Sequence, residues 1–138
     1  MSRWAAYLAA LQPEMLCEVG RNSLASAGSG IWDGATVVTS RSAIEARILA
    51  TDRLVPLTVR ERVAPQVGLP YHWGPNGLST GDAANELTSA VLDPSVYIQE
   101  SKAATCDIRP GRRPRGPALL DYVEESRRRA NAIDGSDR

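Results

Sequence analysis

The chain has 138 residues, enough for one domain with one core, and with 43% apolar and 23% charged residues it lies far from the composition of a disordered chain. Lys plus Arg equals Asp plus Glu at 16 each, so the molecule as a whole offers no net field to collect nucleic acid or an anionic membrane. No apolar run approaches the ~20 residues that span a bilayer, and no basic segment followed by an apolar one opens the chain. Cys17 and Cys106 lack metal or redox spacing and do not describe a disulfide framework, so a soluble protein of the reducing cytoplasm is expected.

Taken in chain order, the first predicted element is a short amphipathic helix capped by Ser2 and stopped by Pro13, with Trp4, Tyr7, Leu8 and Leu11 on one face as core candidates. From Asn22 to Gly34 small residues dominate, which suits a loop or a poorly formed helix. The β-branched run ending at Thr39 and the alternating stretch Ile44, Ala46, Ile48 and Ala50 predict two strands joined by the polar triplet Ser40, Arg41 and Ser42. A bent or edge strand is expected over Arg53 to Val59, because Pro56 inside it cannot donate to a ladder. Gln66 to Leu69 reads as a short strand broken by Pro70, followed by a loop from Tyr71 to Gly77. Asp82 is placed as the cap of a helix running to Pro94, with a strand over Val96 to Gln99 and a final helix over Ala118 to Ala130 that turns Leu119, Tyr122, Val123 and Ser126 to one side. Short strands without regular strand–helix alternation argue for a small barrel or α+β domain, mainly β with short helices.

His72 is the lone histidine, so no two-histidine metal site can be built from this chain. Two readings of it compete: a hydrogen-bonded structural residue, or a ligand contact in a loop that also holds Trp73, Gly74 and Asn76. Ser40 and Arg41 offer a hydroxyl and a guanidinium that suit phosphate oxygens, or they form an ordinary polar turn. Asn85 can present donor and acceptor to a heterocycle edge, or simply face solvent. Lys102 suits phosphate or solvation equally. The basic strap Arg109 to Arg115 holds four arginines without interleaved aromatics, which weakens a nucleic-acid reading and leaves acidic protein surface or phosphates as its partners.

Several stretches together resemble the end of the large subunit of formate dehydrogenases, within the molybdopterin oxidoreductase family. They are Met1-Ser2-Arg3-Trp4, Val37 to Leu54, Gln66-Val67-Gly68-Leu69-Pro70-Tyr71-His72-Trp73-Gly74, Thr80-Gly81-Asp82-Ala83-Ala84-Asn85-Glu86-Leu87, and Leu92-Asp93-Pro94 through Gln99-Glu100-Ser101-Lys102. Each motif alone is weak, and their order is specific. The resemblance implies an incomplete six-stranded double-psi β-barrel over residues 1–132, with 133–138 as a disordered tail. It implies that Ser40, Arg41, His72, Trp73, Asn85 and Lys102 contact a molybdenum bis(molybdopterin guanine dinucleotide) cofactor shared with upstream domains.

The departures from that pattern are part of the expectation. Nothing aligns with the family's metal-holding cysteine or selenocysteine and its catalytic histidine, so no residue here is assigned catalysis or metal ligation. The family's dinucleotide-binding segment with threonine and histidine lies before the position of Met1, Pro65 stands where histidine is common, and Arg21 to Gly30 departs from the pattern. Three functions follow. The chain is a cofactor-binding fragment, inactive alone, that partners an upstream catalytic polypeptide; or a degenerate interaction module without cofactor; or, least supported, a nucleic-acid binder. A barrel missing a strand exposes unpaired backbone groups, and self-association through that edge is expected.

Overall fold

The computed structural model describes residues 11, 13–26, 34–59, 61–71, 81–90, 92–99 and 104–135. The elements are β1 (Leu16–Gly20), α1 (Arg21–Ser26), β2 (Ala35–Val38), β3 (Ala43–Thr51), β4 (Leu57–Val59), β5 (Arg62–Ala64), β6 (Val67–Gly68), a 3-10 turn (Ala84–Leu87), β7 (Asp107–Pro110) and α2 (Pro117–Gly135). Five strands form one mixed sheet in the order β6-β1-β3-β2-β7, and β4 and β5 form a separate two-stranded sheet. The fold is mainly β, and its sheet is open and not a closed barrel.

β3 sits at the centre because its alternation gives it two useful faces. Ile44, Ala46 and Ile48 point into the main core, whereas Glu45 is half-buried and Arg47 and Leu49 are exposed. It pairs antiparallel with β2, from Ala35↔Ala46 to Val38↔Ala43, and parallel with β1, from Leu16↔Arg47 to Gly20↔Thr51. β2 is buried along its whole length: Ala35 and Val37 join the main core with Met15, Cys17 and Val19, while Val38 faces the other way. There Val38 and Ala43 meet Val123, Leu119 and Tyr122 of α2 in a second, smaller core. The helix face read from the sequence is therefore the one that packs, with Ser126 also buried.

Several expectations are corrected. β1 was not foreseen, although Cys17 and Val19 point inward around Glu18; five residues are a short run on which to see a period of two. The bent strand over Arg53 to Val59 shrinks to Leu57–Val59. Asp82 caps no helix: the turn that follows is a 3-10 segment of four residues capped by Ala83, ending at Thr88. Val96 to Gln99 is not a strand but the far side of a turn, joined to Leu92 by a single bridge at Gln99. Asp93 builds that turn by accepting from the N–H groups of Ser95 and Val96 at 2.7 and 3.0 Å. Leu11, expected in the core, is 81% exposed; the rest of the first predicted helix lies outside the described residues. The last helix runs to Gly135, longer than read and three residues into the tail expected at 133–138.

A candidate nucleotide-contacting corner at the β2–β3 turn

The polar triplet after β2 closes a four-residue turn. Thr39 donates its N–H to the Ser42 carbonyl at 2.9 Å, and its buried hydroxyl accepts from the N–H groups of Arg41 and Ser42 at 3.2 and 3.4 Å. The same hydroxyl donates to the Leu87 carbonyl at 2.9 Å, which fastens the turn to the 3-10 segment. Arg41 reinforces that link by donating from Nη1 to the Thr88 carbonyl. Thr88 in turn gives its N–H and its hydroxyl to the Asn85 carbonyl at 3.4 and 3.2 Å. Two of the predicted site residues, Arg41 and Asn85, thus meet through Thr88, with Ser40 beside them on the turn.

The third element at this corner is α2. Arg127 donates from Nε and Nη2 to the Ser40 carbonyl at 3.2 and 2.8 Å, and its Nη1 pairs with Glu124 at 2.5 Å. A cleft of about 380 Å³ opens between the turn and the helix, lined by Arg41, Ser42, Leu119, Asp121, Glu124 and Arg127 among others. Its two guanidinium groups face two carboxylates, so the cleft is close to electrically balanced. A smaller cavity of about 100 Å³, lined in part by Thr39, runs past Val37, Leu87 and Thr88 to Leu69, Tyr71 and Cys106. Tyr71 is the last described residue before the segment holding His72 and Trp73; these two and Lys102 lie outside the described residues.

The Thr80-to-Leu87 motif divides its labour residue by residue. Ala84 and Leu87 are 5% exposed and belong to the core, while Asn85 and Glu86 face out. Asp82 works as a bracket: its Oδ2 accepts from the N–H of Glu45 at 2.8 Å and its Oδ1 from Arg113 Nη2 at 2.9 Å. Arg113 also donates to the Ala43 carbonyl and lies 3.6 Å from Glu86. Sequence reasoning missed Thr39, Asp82 and Arg113 as organisers of the site. A Gly-Asp pair before an apolar turn reads as a cap, and an arginine inside a basic run looks like any other.

The arginine-rich strap follows one of its two predicted courses, pinning to acidic protein surface, and that surface is the chain's own. Arg115 pairs with Glu45 at 3.0 Å, and Arg109 with Asp107 at 3.1 Å and Glu125 at 3.6 Å. The Arg109 guanidinium also lies 4.5 Å over the ring of Tyr122, which ties β7 to α2. β7 itself supplies the first residues of the strap, paired to β2 from Ala35↔Pro110 to Val38↔Asp107. Next to it a broader cleft of about 500 Å³ is lined by Gly34, Gly81, Gly111, Arg112, Glu45 and Arg47 among others.

No family model matches the chain. Individual proteins do. Formate dehydrogenase subunit alpha of Megalodesulfovibrio gigas is 33% identical over 107 residues, covering 75% of this chain and 10% of that protein. The nitrate-inducible formate dehydrogenase major subunit of Escherichia coli K12 is 37% identical over 98 residues, covering 70% of this chain and 10% of its own length. Formate dehydrogenase 2 subunit alpha (cytochrome c-553) of Nitratidesulfovibrio vulgaris is 32% identical over 98 residues, 71% of this chain and 10% of that protein. This chain is related to the formate dehydrogenase large subunits. It spans about 10% of the length of the curated relatives it matches. Among the described residues no helix is long and apolar enough to cross a membrane, and no cluster of His, Cys, Asp and Glu could hold a metal ion.

Proposed function

We propose that this chain is the carboxy-terminal, nucleotide-gripping segment of a formate dehydrogenase-like, molybdopterin-dependent oxidoreductase, with residues 1–132 forming an incomplete double-psi β-barrel. The observation that carries the reading is the joining of Arg41 and Asn85 through Thr88 at the β2–β3 turn. The donor chemistry there fits a nucleotide: the Ser40 and Ser42 hydroxyls and the outward N–H groups of Arg41 suit phosphate oxygens, and the exposed Asn85 amide suits a guanine or pterin edge. His72, Trp73 and Lys102 complete the proposed contacts. The molybdenum bis(molybdopterin guanine dinucleotide) group, when bound, supplies the redox chemistry of the whole enzyme. The residues of this chain bind and orient its nucleotide tails, and an upstream catalytic polypeptide is the partner that holds the metal. The two free thiols, Cys17 and Cys106, support a place in the reducing cytoplasm.

Titration of the purified chain with guanosine 5′-diphosphate, followed by calorimetry, tests this. Saturable binding that Arg41→Ala and Asn85→Ala each weaken is the expected result, and no heat of binding from the wild-type chain would overturn it.

A second reading, an interaction module that no longer holds the cofactor, is favoured by the charge arrangement beside the turn. Arg127 commits its donors to Ser40 and Glu124, and the cleft balances Arg41 and Arg127 against Asp121 and Glu124. Binding of a protein partner that survives Arg41→Ala, with no nucleotide bound, would select it.

A further inference from the structure

Among the described residues the β4–β5 hairpin stands apart from the five-stranded sheet. Leu57 pairs with Ala64, Thr58 with Val63 and Val59 with Arg62, and neither strand joins the five-stranded sheet. Two strands alone are marginal in water and ordinarily need a third strand or a packed face. Here the apolar side chains are turned out: Val55 is 68% exposed, Leu57 52%, Val59 54% and Val63 70%, and none belongs to either core. Alternation places Leu57 and Val59 on one face of the hairpin and Val63 on the other, so covering a single face would leave the second wet. The turn is conformationally committed, since Glu61 holds a φ of 62°. Gln66 closes the base of the arm across its two legs by donating to the Val55 carbonyl at 2.6 Å, in step with the Leu57↔Ala64 pairing.

An apolar projection of this kind on a soluble chain marks a surface that something else covers. We infer that the β4–β5 hairpin is a docking arm for the polypeptide that, in the formate dehydrogenase large subunits, lies outside the matched 10% of their length. The inference rests on the reading of this chain as a segment of such an enzyme. The relatives carry the matched segment inside chains about ten times its length, so they supply further polypeptide of the size needed to cover the arm. A second copy pairing edge to edge is the poorer occupant, because Pro56 directly before β4 offers no N–H to a further strand. The arm instead presents side chains on both faces, which suits insertion into a cleft of a larger body.

Hydrogen–deuterium exchange of peptides covering residues 55–64 tests the proposal in two contexts. One is the isolated chain; the other is a chimaera in which this chain replaces the matched 98-residue segment of the E. coli nitrate-inducible major subunit. Exchange in the arm is expected to slow at least about tenfold in the chimaera. The double variant Leu57→Ser with Val63→Ser should cancel that protection while the melting temperature of the isolated chain stays unchanged. Equal exchange in both contexts overturns the proposal. So does an arm already protected in an isolated chain that sediments as a dimer, which would make a second copy the occupant. The nucleotide titration is read on the isolated chain, so loss of nucleotide binding with a protected arm, or the reverse, separates the failure of one reading from the failure of the other.

Discussion

Among the described residues two antiparallel hairpins are built from similar apolar residues, and they end in opposite environments. In β2–β3 the side chains of Val37, Val38, Ala43 and Ile44 are 0% exposed, because the sheet has a core on both faces at this point. In β4–β5 Leu57, Val59 and Val63 are all more than half exposed. β propensity is common to both. What separates them is the connection: the β2–β3 turn is bonded to the 3-10 segment through Thr39 and to α2 through Ser40, whereas the β4–β5 arm is tied at its base by Gln66. Burial is thus decided by what long-range contacts bring over a hairpin, and local sequence alone does not say.

The contrast can be broken most sharply by truncating one side chain in each hairpin. Ile44→Ala should destabilise the chain by about 2–5 kcal/mol through a cavity between β1, β2 and the 3-10 segment. Val63→Ala should lie within about 0.5 kcal/mol of wild type in the isolated chain. Urea denaturation measures both, and similar losses at the two sites would erase the distinction. Next in size is Asp82→Ala, which removes an acceptor from the Glu45 N–H and from Arg113; a loss of about 1.5–3 kcal/mol is expected by the same measurement. Asp82→Asn, which keeps an acceptor oxygen, should recover part of it.

The smallest effect is silent at neutral pH. Burial, with the neighbouring Cys106 and Glu18, pushes the Cys17 thiol up from its ordinary 9.0 to about 12. The folded chain therefore keeps a proton that the unfolded chain releases, so this contribution to stability is whole below pH 9 and is lost as pH rises from 9 towards 12. Melting curves across that range should fall more steeply for the wild type than for Cys17→Ala. At pH 8 a thiol reagent should modify the exposed Cys106 in the folded chain and reach Cys17 only after unfolding.

Much of the fold near the candidate corner was legible. The alternation of Ile44, Ala46 and Ile48, the β-branched run before it and the polar triplet between them specified an antiparallel hairpin, and β3 runs from Ala43 to Thr51 as that pattern requires. The side-chain chemistry of Ser40, Arg41 and Asn85 was equally visible. Their mutual placement was not, because Arg41 reaches Asn85 only through Thr88, across 47 residues of chain. Arg113 was legible as a charge but not as the residue that clamps Asp82 and Ala43, since a partner 31 or 70 residues away leaves no local pattern.

By itself the sequence determined the elements whose signal is periodic: the alternating central strand, the apolar face of the final helix, and the ordered motifs that relate the chain to formate dehydrogenase large subunits. Those depend on spacing over a few residues and on residue type, which a chain carries without folding. Tertiary structure decided the parallel pairing of β1 with β3, the bracket at Asp82, the neutralisation of the arginine strap and the exposure of the second hairpin. Each of these depends on which distant groups compete for one hydrogen bond or one patch of apolar surface, and that competition is resolved only when the whole chain is packed.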